Sequence, residues 1–187
     1  MRYPSDHKPA ARSQLLDRGA RHAKKHGFRA SGMDALAAAA GVTTGSLYKH
    51  FEGKSDFFAA LLEAELQRTA ERFASIDPGD SEAVGKAQAG YLSLQHVRKP
   101  ERGCLLPSLT PEVARTEAST RAAFQSGLQH IHDAVERWTG SSDKAWALIA
   151  QNVGAVMLAR AMCDEETQRE LLEAARRQGE SLLKGDR

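Results

Sequence analysis

The feature that most constrains this chain is a pair of short helical patterns that meet at a three-residue break, Ala40-Gly41-Val42. Met33, Leu36, Ala37 and Ala40 recur at i, i+3, i+4 and i+7, the stripe of an amphipathic helix. A second pattern, about Thr44 to Phe51, is entered through Thr43, a good N-cap residue. So short a glycine turn brings two helices into close approach, which is the helix-turn-helix arrangement. Val42, Leu47 and Phe51 face inward on this reading, while Thr44, Ser46, Tyr48, Lys49 and His50 face outward. The outward set is hydrogen-bonding throughout and has no acid. An element of that width and chemistry fits the major groove of double-stranded DNA.

The rest of the chain reads as helix as well. No stretch alternates apolar and polar residues long enough to suggest a strand, and breaks fall at Gly27, Gly41, Gly53, Asp77-Pro78-Gly79, Lys99-Pro100, Pro107 to Pro111, Thr139-Gly140 and near Cys163. About nine helices are expected. The first covers roughly Ala10 to His26, and Ser31 with Asp34 has the form of a capping box at the start of the second. Long helices follow after Gly53, around Phe124 to Trp138, from Lys144 to Met162, and from Glu165 to Leu183. The fold class is therefore all-α: a three-helix DNA-binding unit over residues 1–53, then a helical effector-binding and dimerisation domain over 54–187.

Charge follows the same division. Residues 1–56 hold 10 Lys/Arg against 5 Asp/Glu, and the remainder 16 against 19, although the whole chain is only +2. A basic N-terminal module facing a polyanion accounts for that asymmetry. Two cysteines make no disulfide framework, the start of the chain lacks the apolar segment of a signal peptide, and no apolar run reaches membrane-spanning length. The expected location is the cytoplasm.

Other chemistry is set aside on spacing. Gly53-Lys54-Ser55 lacks the earlier glycine of a phosphate loop, since Tyr48 stands there. His22 and His26 have zinc-like spacing but no third ligand between them, and His130 and His132 point to different sides of a helix. No nucleophile elbow or dinucleotide fingerprint occurs. Neither an enzyme, a metal site nor a cofactor is expected.

The ordered string Gly27-Phe28, Met33-Asp34 through Val42, Gly45-Ser46-Leu47-Tyr48, and His50-Phe51 followed by Lys54 resembles the TetR family of bacterial regulators. The resemblance implies that Thr44, Gly45 and Lys49 approach bases, and that Ser31, Ser46, Tyr48, His50 and Lys54 meet phosphates, with Thr43 completing the DNA-binding set. Thr44 departs from the family, where a long polar residue is common; Gly53 departs where serine usually caps a helix. The stretch Lys144 to Met162 is rich in small residues (Ala145, Ala147, Ala150, Gly154, Ala155, Ala159, Ala161), which would let the last two long helices of two copies pack as a four-helix bundle, a homodimer facing a palindromic operator; the alternative is packing inside one chain. The resemblance further implies a repressor, released from its operator by a small-molecule effector.

Cys104 lies in Arg102-Gly103-Cys104-Leu105-Leu106-Pro107. Arg102 and a nearby helix start would lower its thiol pKa, and electrophile-sensing relatives carry a cysteine in a similar context, which makes it a candidate redox sensor. The plainer reading is a small buried apolar residue. Phe73, Tyr91, Leu94, Phe124, Leu128, Trp146 and Met157 are candidate pocket residues and equally good core residues. The alternative for the whole chain is an all-α small-molecule-binding or adaptor protein whose helix-turn-helix no longer engages DNA.

Overall fold

The computed structural model describes residues 7–183. Ten α-helices follow in order: α1 (His7–His26), α2 (Met33–Ala40), α3 (Thr44–Tyr48), α4 (Lys54–Ala74), α5 (Ser81–Tyr91), α6 (Leu94–Arg98), α7 (Leu106–Val113), α8 (Ala118–Thr139), α9 (Ser142–Ala161) and α10 (Glu165–Leu183), with a 3₁₀ turn at Pro100–Arg102. Among the described residues there is no strand.

Two expectations about boundaries are corrected. The stretch Pro107 to Pro111 is not a break, because α7 runs through it. Pro107 sits in the first turn, where a missing N–H removes no intrahelical bond, and Pro111 costs an eight-residue helix one bond. The capping box at Ser31 does not form either: the N-cap of α2 is Gly32, with no side-chain cap.

Helices α1 to α3 share a core of Leu15, Leu16, Ala20, Leu36, Leu47 and Phe51, and this core continues without interruption into α4. Phe57 joins the two, with its ring 4.7 Å from that of Phe51. A Cβ at Gly19 would fall 2.5 Å from the Phe57 ring, so only glycine lets α1 and α4 cross there. The apolar packing thus extends past the expected boundary between residues 53 and 54. Further along, α4 packs lengthwise on α8, where a Cβ at Gly127 would lie 2.7 Å from Leu66. A second cluster joins Leu92 and Val97 to Val156 and Ala159 of α9 and Leu172 of α10.

The small residues of α9 divide between two faces. Ala145, Ala155 and Ala159 are buried inside the protomer, whereas Ala147, Ala150 and Ala161 are exposed. Trp146, Met157 and Leu158 are exposed on the same helix. No described helix is long and apolar enough to cross a membrane.

Candidate nucleic-acid interface and its link to the core

Helix α3 begins where its sequence requires. Thr43 is in extended conformation and its hydroxyl accepts the Ser46 N–H at 3.2 Å, the expected N-cap. Gly41 adopts φ 75°, a left-handed conformation that glycine enters freely, and ends α2. Its Cβ position is only 2.7 Å from the Arg18 guanidinium, which itself donates to the Ala40 carbonyl at 2.9 Å. The turn is therefore fixed from two sides. Helix α3 is shorter than the two turns expected; its end tightens through Lys49 N–H to Ser46 and His50 N–H to Leu47.

Leu47 and Phe51 are essentially fully buried, while Tyr48 is 51% exposed and Lys49 is exposed beside it. Leu47 and Phe51 thus face inward and Tyr48 and Lys49 outward as the spacing predicts, whereas Val42, Thr44 and Ser46 are half-buried. Gly45 has open space around it, so backbone at the start of α3 is accessible. The Thr44 hydroxyl already donates to Asp34 at 2.6 Å. Lys54 starts α4 as expected, with its ammonium bound to the Arg29 carbonyl at 3.0 Å and lying 5.3 Å from the Phe28 ring centre. Asp56 in the same first turn accepts the Glu52 N–H. His50 is half-buried.

Ser31 is different. It is buried, its hydroxyl donates to the Gly27 carbonyl at 2.7 Å and it contacts His22 at 3.1 Å. The hydroxyl holds the α1–α2 turn, and this geometry does not offer the phosphate contact expected of it.

Two polar links that the sequence reading missed tie this unit to the rest of the protein. Lys24 of α1 is buried and donates to Glu65 of α4 at 2.7 Å and to the Gly103 carbonyl at 2.8 Å. Glu112 of α7 accepts the N–H groups of Phe28 and Arg29, at 3.0 and 2.6 Å. Each partner lies more than forty residues away, so no local pattern could have signalled either link; only a lysine on an otherwise apolar helix face hinted at one.

The Lys24 link ends beside Cys104, which is buried. Burial pushes the thiol up from its usual range; nearby Lys24 and Arg72 oppose this but do not prevail. The expected lowering is corrected: Arg102 is exposed, and burial of the thiol outweighs the cations around it. The Cys104 N–H donates to His96 Nε2 at 3.0 Å, so His96 must carry its proton on Nδ1, which donates to the Tyr91 carbonyl at 2.7 Å. Burial and the surrounding cations hold His96 neutral, with a pKa of about 4.

A cleft of about 320 Å³ opens beside Cys104 between α4, α5 and α6. Behind it, walled by Trp138, Ile149 and Val153, is an apolar chamber of about 30 Å³. Of the expected pocket residues, Phe73 and Tyr91 line both spaces. Leu94, Phe124 and Leu128 instead pack against the core, and Trp146 and Met157 are exposed on α9.

Residues 15–61 match the family model described as bacterial regulatory proteins, tetR family. No curated protein matches the chain. Among solved structures, Escherichia coli NemR in its reduced form is similar at 21% identity and TM-score 0.78, covering 94% of this chain and 97% of that one. A TetR transcriptional regulator from Legionella pneumophila is similar at 19% identity and TM-score 0.74, covering 98% and 100%. FadR from Bacillus subtilis, in complex with stearoyl-CoA, is similar at 16% identity and TM-score 0.67, covering 93% and 98%.

Proposed function

We propose that this chain, which carries the TetR-family DNA-binding domain at residues 15–61 and the fold of that family's regulators over nearly its whole length, is a transcriptional repressor released from its operator by a small molecule. The observation that carries the reading is α3 itself: Tyr48 and Lys49 stand in solvent on a helix whose Leu47 and Phe51 are locked inside. Thr44, Gly45 and Lys49 read base edges, while Ser46, Tyr48, His50 and Lys54 hold phosphates and Thr43 sets the helix start. Base contacts specify and phosphate contacts position.

The protein works as a homodimer through α9 and α10. The exposed Trp146, Met157 and Leu158 support this, since large apolar groups gathered on one helix mark an interaction surface. Two α3 helices then face a palindromic operator in the cytoplasm. We set the domain boundary between Gly53 and Lys54, with α4 as the lever.

Release requires an effector that binds one conformation better than the other. Movement of the segment before Cys104 is carried to α1 by the Lys24–Gly103 bond, and movement of α7 to the α1–α2 turn by Glu112. Those two links make the effector cleft and the DNA-reading unit parts of one mechanical system.

The test is binding of the full chain to genomic fragments across a range of salt. A regulator gives protection of a palindrome and an affinity that falls steeply with salt as phosphate counterions are displaced. Uniformly weak, salt-insensitive binding to every fragment would instead leave a small-molecule-binding protein with a disused helix-turn-helix.

A further inference from the structure

The cleft beside Cys104 is lined by Arg72, Lys86, Lys99 and Arg102, and no carboxylate lines it. Lys86 is paired with Glu82 at the rim. Arg72, Lys99 and Arg102 have no ion-pair partner among the described residues; Arg72 lies over the Phe73 ring, 5.2 Å from its centre. Arg72 and Arg102 also border an adjoining groove that holds Asp17, Glu65 and Glu101; there Asp17 is held by Arg21 and Arg68, and Glu65 by Lys24 and Arg68. Three cations thus line one concave space that no described carboxylate lines.

The inner wall has the opposite character. Phe73, Ala87, Tyr91 and Cys104 belong both to the cleft and to the apolar chamber behind it. On the chamber wall Gln88 Oε1 and Asn152 Oδ1 are buried without hydrogen-bond partners among the described residues, while the Tyr91 hydroxyl faces the Cys104 thiol. Unpartnered buried polar atoms are uncommon, and each calls for a group to satisfy it. The chamber holds about one water, whereas the cleft has the lower size of small-molecule sites, about 300 Å³.

We propose that the effector is a small organic anion with an apolar body. Its carboxylate or comparable head is held by Arg72, Lys99 and Arg102, and its body lies on Phe73, Ala87 and Tyr91 toward the chamber. Guanidinium groups suit such a head because they engage carboxylate oxygens in pairs. The apolar wall excludes a bare inorganic ion as the preferred occupant, and the cations exclude a neutral hydrocarbon. This assignment rests on the regulator reading only for its role as effector; the site itself is independent of DNA.

The experiment is calorimetric titration of the full chain with octanoate and 2-naphthoate, each against its carboxamide, with inorganic phosphate as a competitor. At least one carboxylate should bind tenfold or more tighter than its amide, and the ratio should shrink as salt is raised. The double substitution Arg72→Gln with Arg102→Gln should bring the ratio near one without moving the thermal midpoint, while Arg102→Lys largely preserves it. Equal affinity of acid and amide, a ratio that survives the double substitution, displacement by equimolar phosphate, or binding of neither acid would overturn the proposal. Because the titration contains no DNA, a chain that takes the carboxylate yet ignores DNA overturns the regulator reading alone. The reverse result overturns only the ligand class.

Discussion

Lys49 and His96 illustrate how differently single side chains act here. Lys49 has no structural task in α3, so Lys49→Ala should leave the thermal midpoint unchanged while weakening operator binding by about 1–3 kcal/mol, the usual worth of a good base contact; titration against labelled operator DNA measures both the loss and any relaxed sequence preference. His96 does the reverse. Its ring accepts from Cys104 and donates to Tyr91, with Arg160, Arg72 and Lys24 as the charges facing it. Its folded pKa of about 4 lies below the ordinary value of 6.5, so between those limits the unfolded chain takes up a proton that the folded one refuses. The stability it contributes is complete above pH 6.5 and is lost as pH falls toward 4. Urea midpoints should drop across that window, and His96→Gln should flatten this limb whatever it does to the plateau. The two thiols give a third readout. Exposed Cys163 should react with iodoacetamide well before buried Cys104, as mass spectrometry of partial labelling would show. Of these residues the exposure of Lys49 was legible from its place in the motif; for Cys104 the local pattern left burial and activation by Arg102 both open, because the apolar groups that bury it come from elsewhere.

Among elements, α2, α4 and α10 begin or end where their breaks predict, since glycine turns, a cap residue and apolar periodicity are all local signals. α7 was misread because two prolines looked like a break, yet one occupies a first turn where it is tolerated. The α4–α8 contact shows what an element needs beyond its own pattern. Gly127 lies in the middle of a 22-residue helix, where intrinsic propensity favours alanine. The Leu66 side chain 2.7 Å from its Cβ position reverses that preference. Gly127→Ala should therefore destabilise the protein by roughly 1–3 kcal/mol, as overpacking does, instead of stabilising it, and chemical denaturation decides the sign.

For the molecule as a whole the buried Lys24–Glu65 pair is the critical joint, because it also grips the Gly103 carbonyl. Lys24→Met removes one member of a buried pair, which commonly costs 3–5 kcal/mol; Arg68 still neutralises Glu65, so the expected loss is near the lower end, about 3 kcal/mol. The more telling consequence concerns regulation. In a Lys24→Met protein that remains folded, effector should still bind but should shift operator affinity less than in the parent chain. Paired measurements of ligand affinity and DNA affinity would expose that separation, whereas an undiminished shift would assign the coupling to Glu112 or to α4.

The amino-acid sequence alone determined the helical class, the position of α3 and the exposure of Tyr48 and Lys49 on it, because caps, turn glycines and a 3.6-residue period act over a few neighbours. Only the tertiary structure decided that Ser31 is spent inside a turn, that the Cys104 thiol is buried, and that three cations from α4 and the 99–102 segment, without an ion-pair partner among the described residues, line one cleft. Burial and electrostatic partnership depend on residues tens of positions apart, and a linear pattern carries no record of which of them meet.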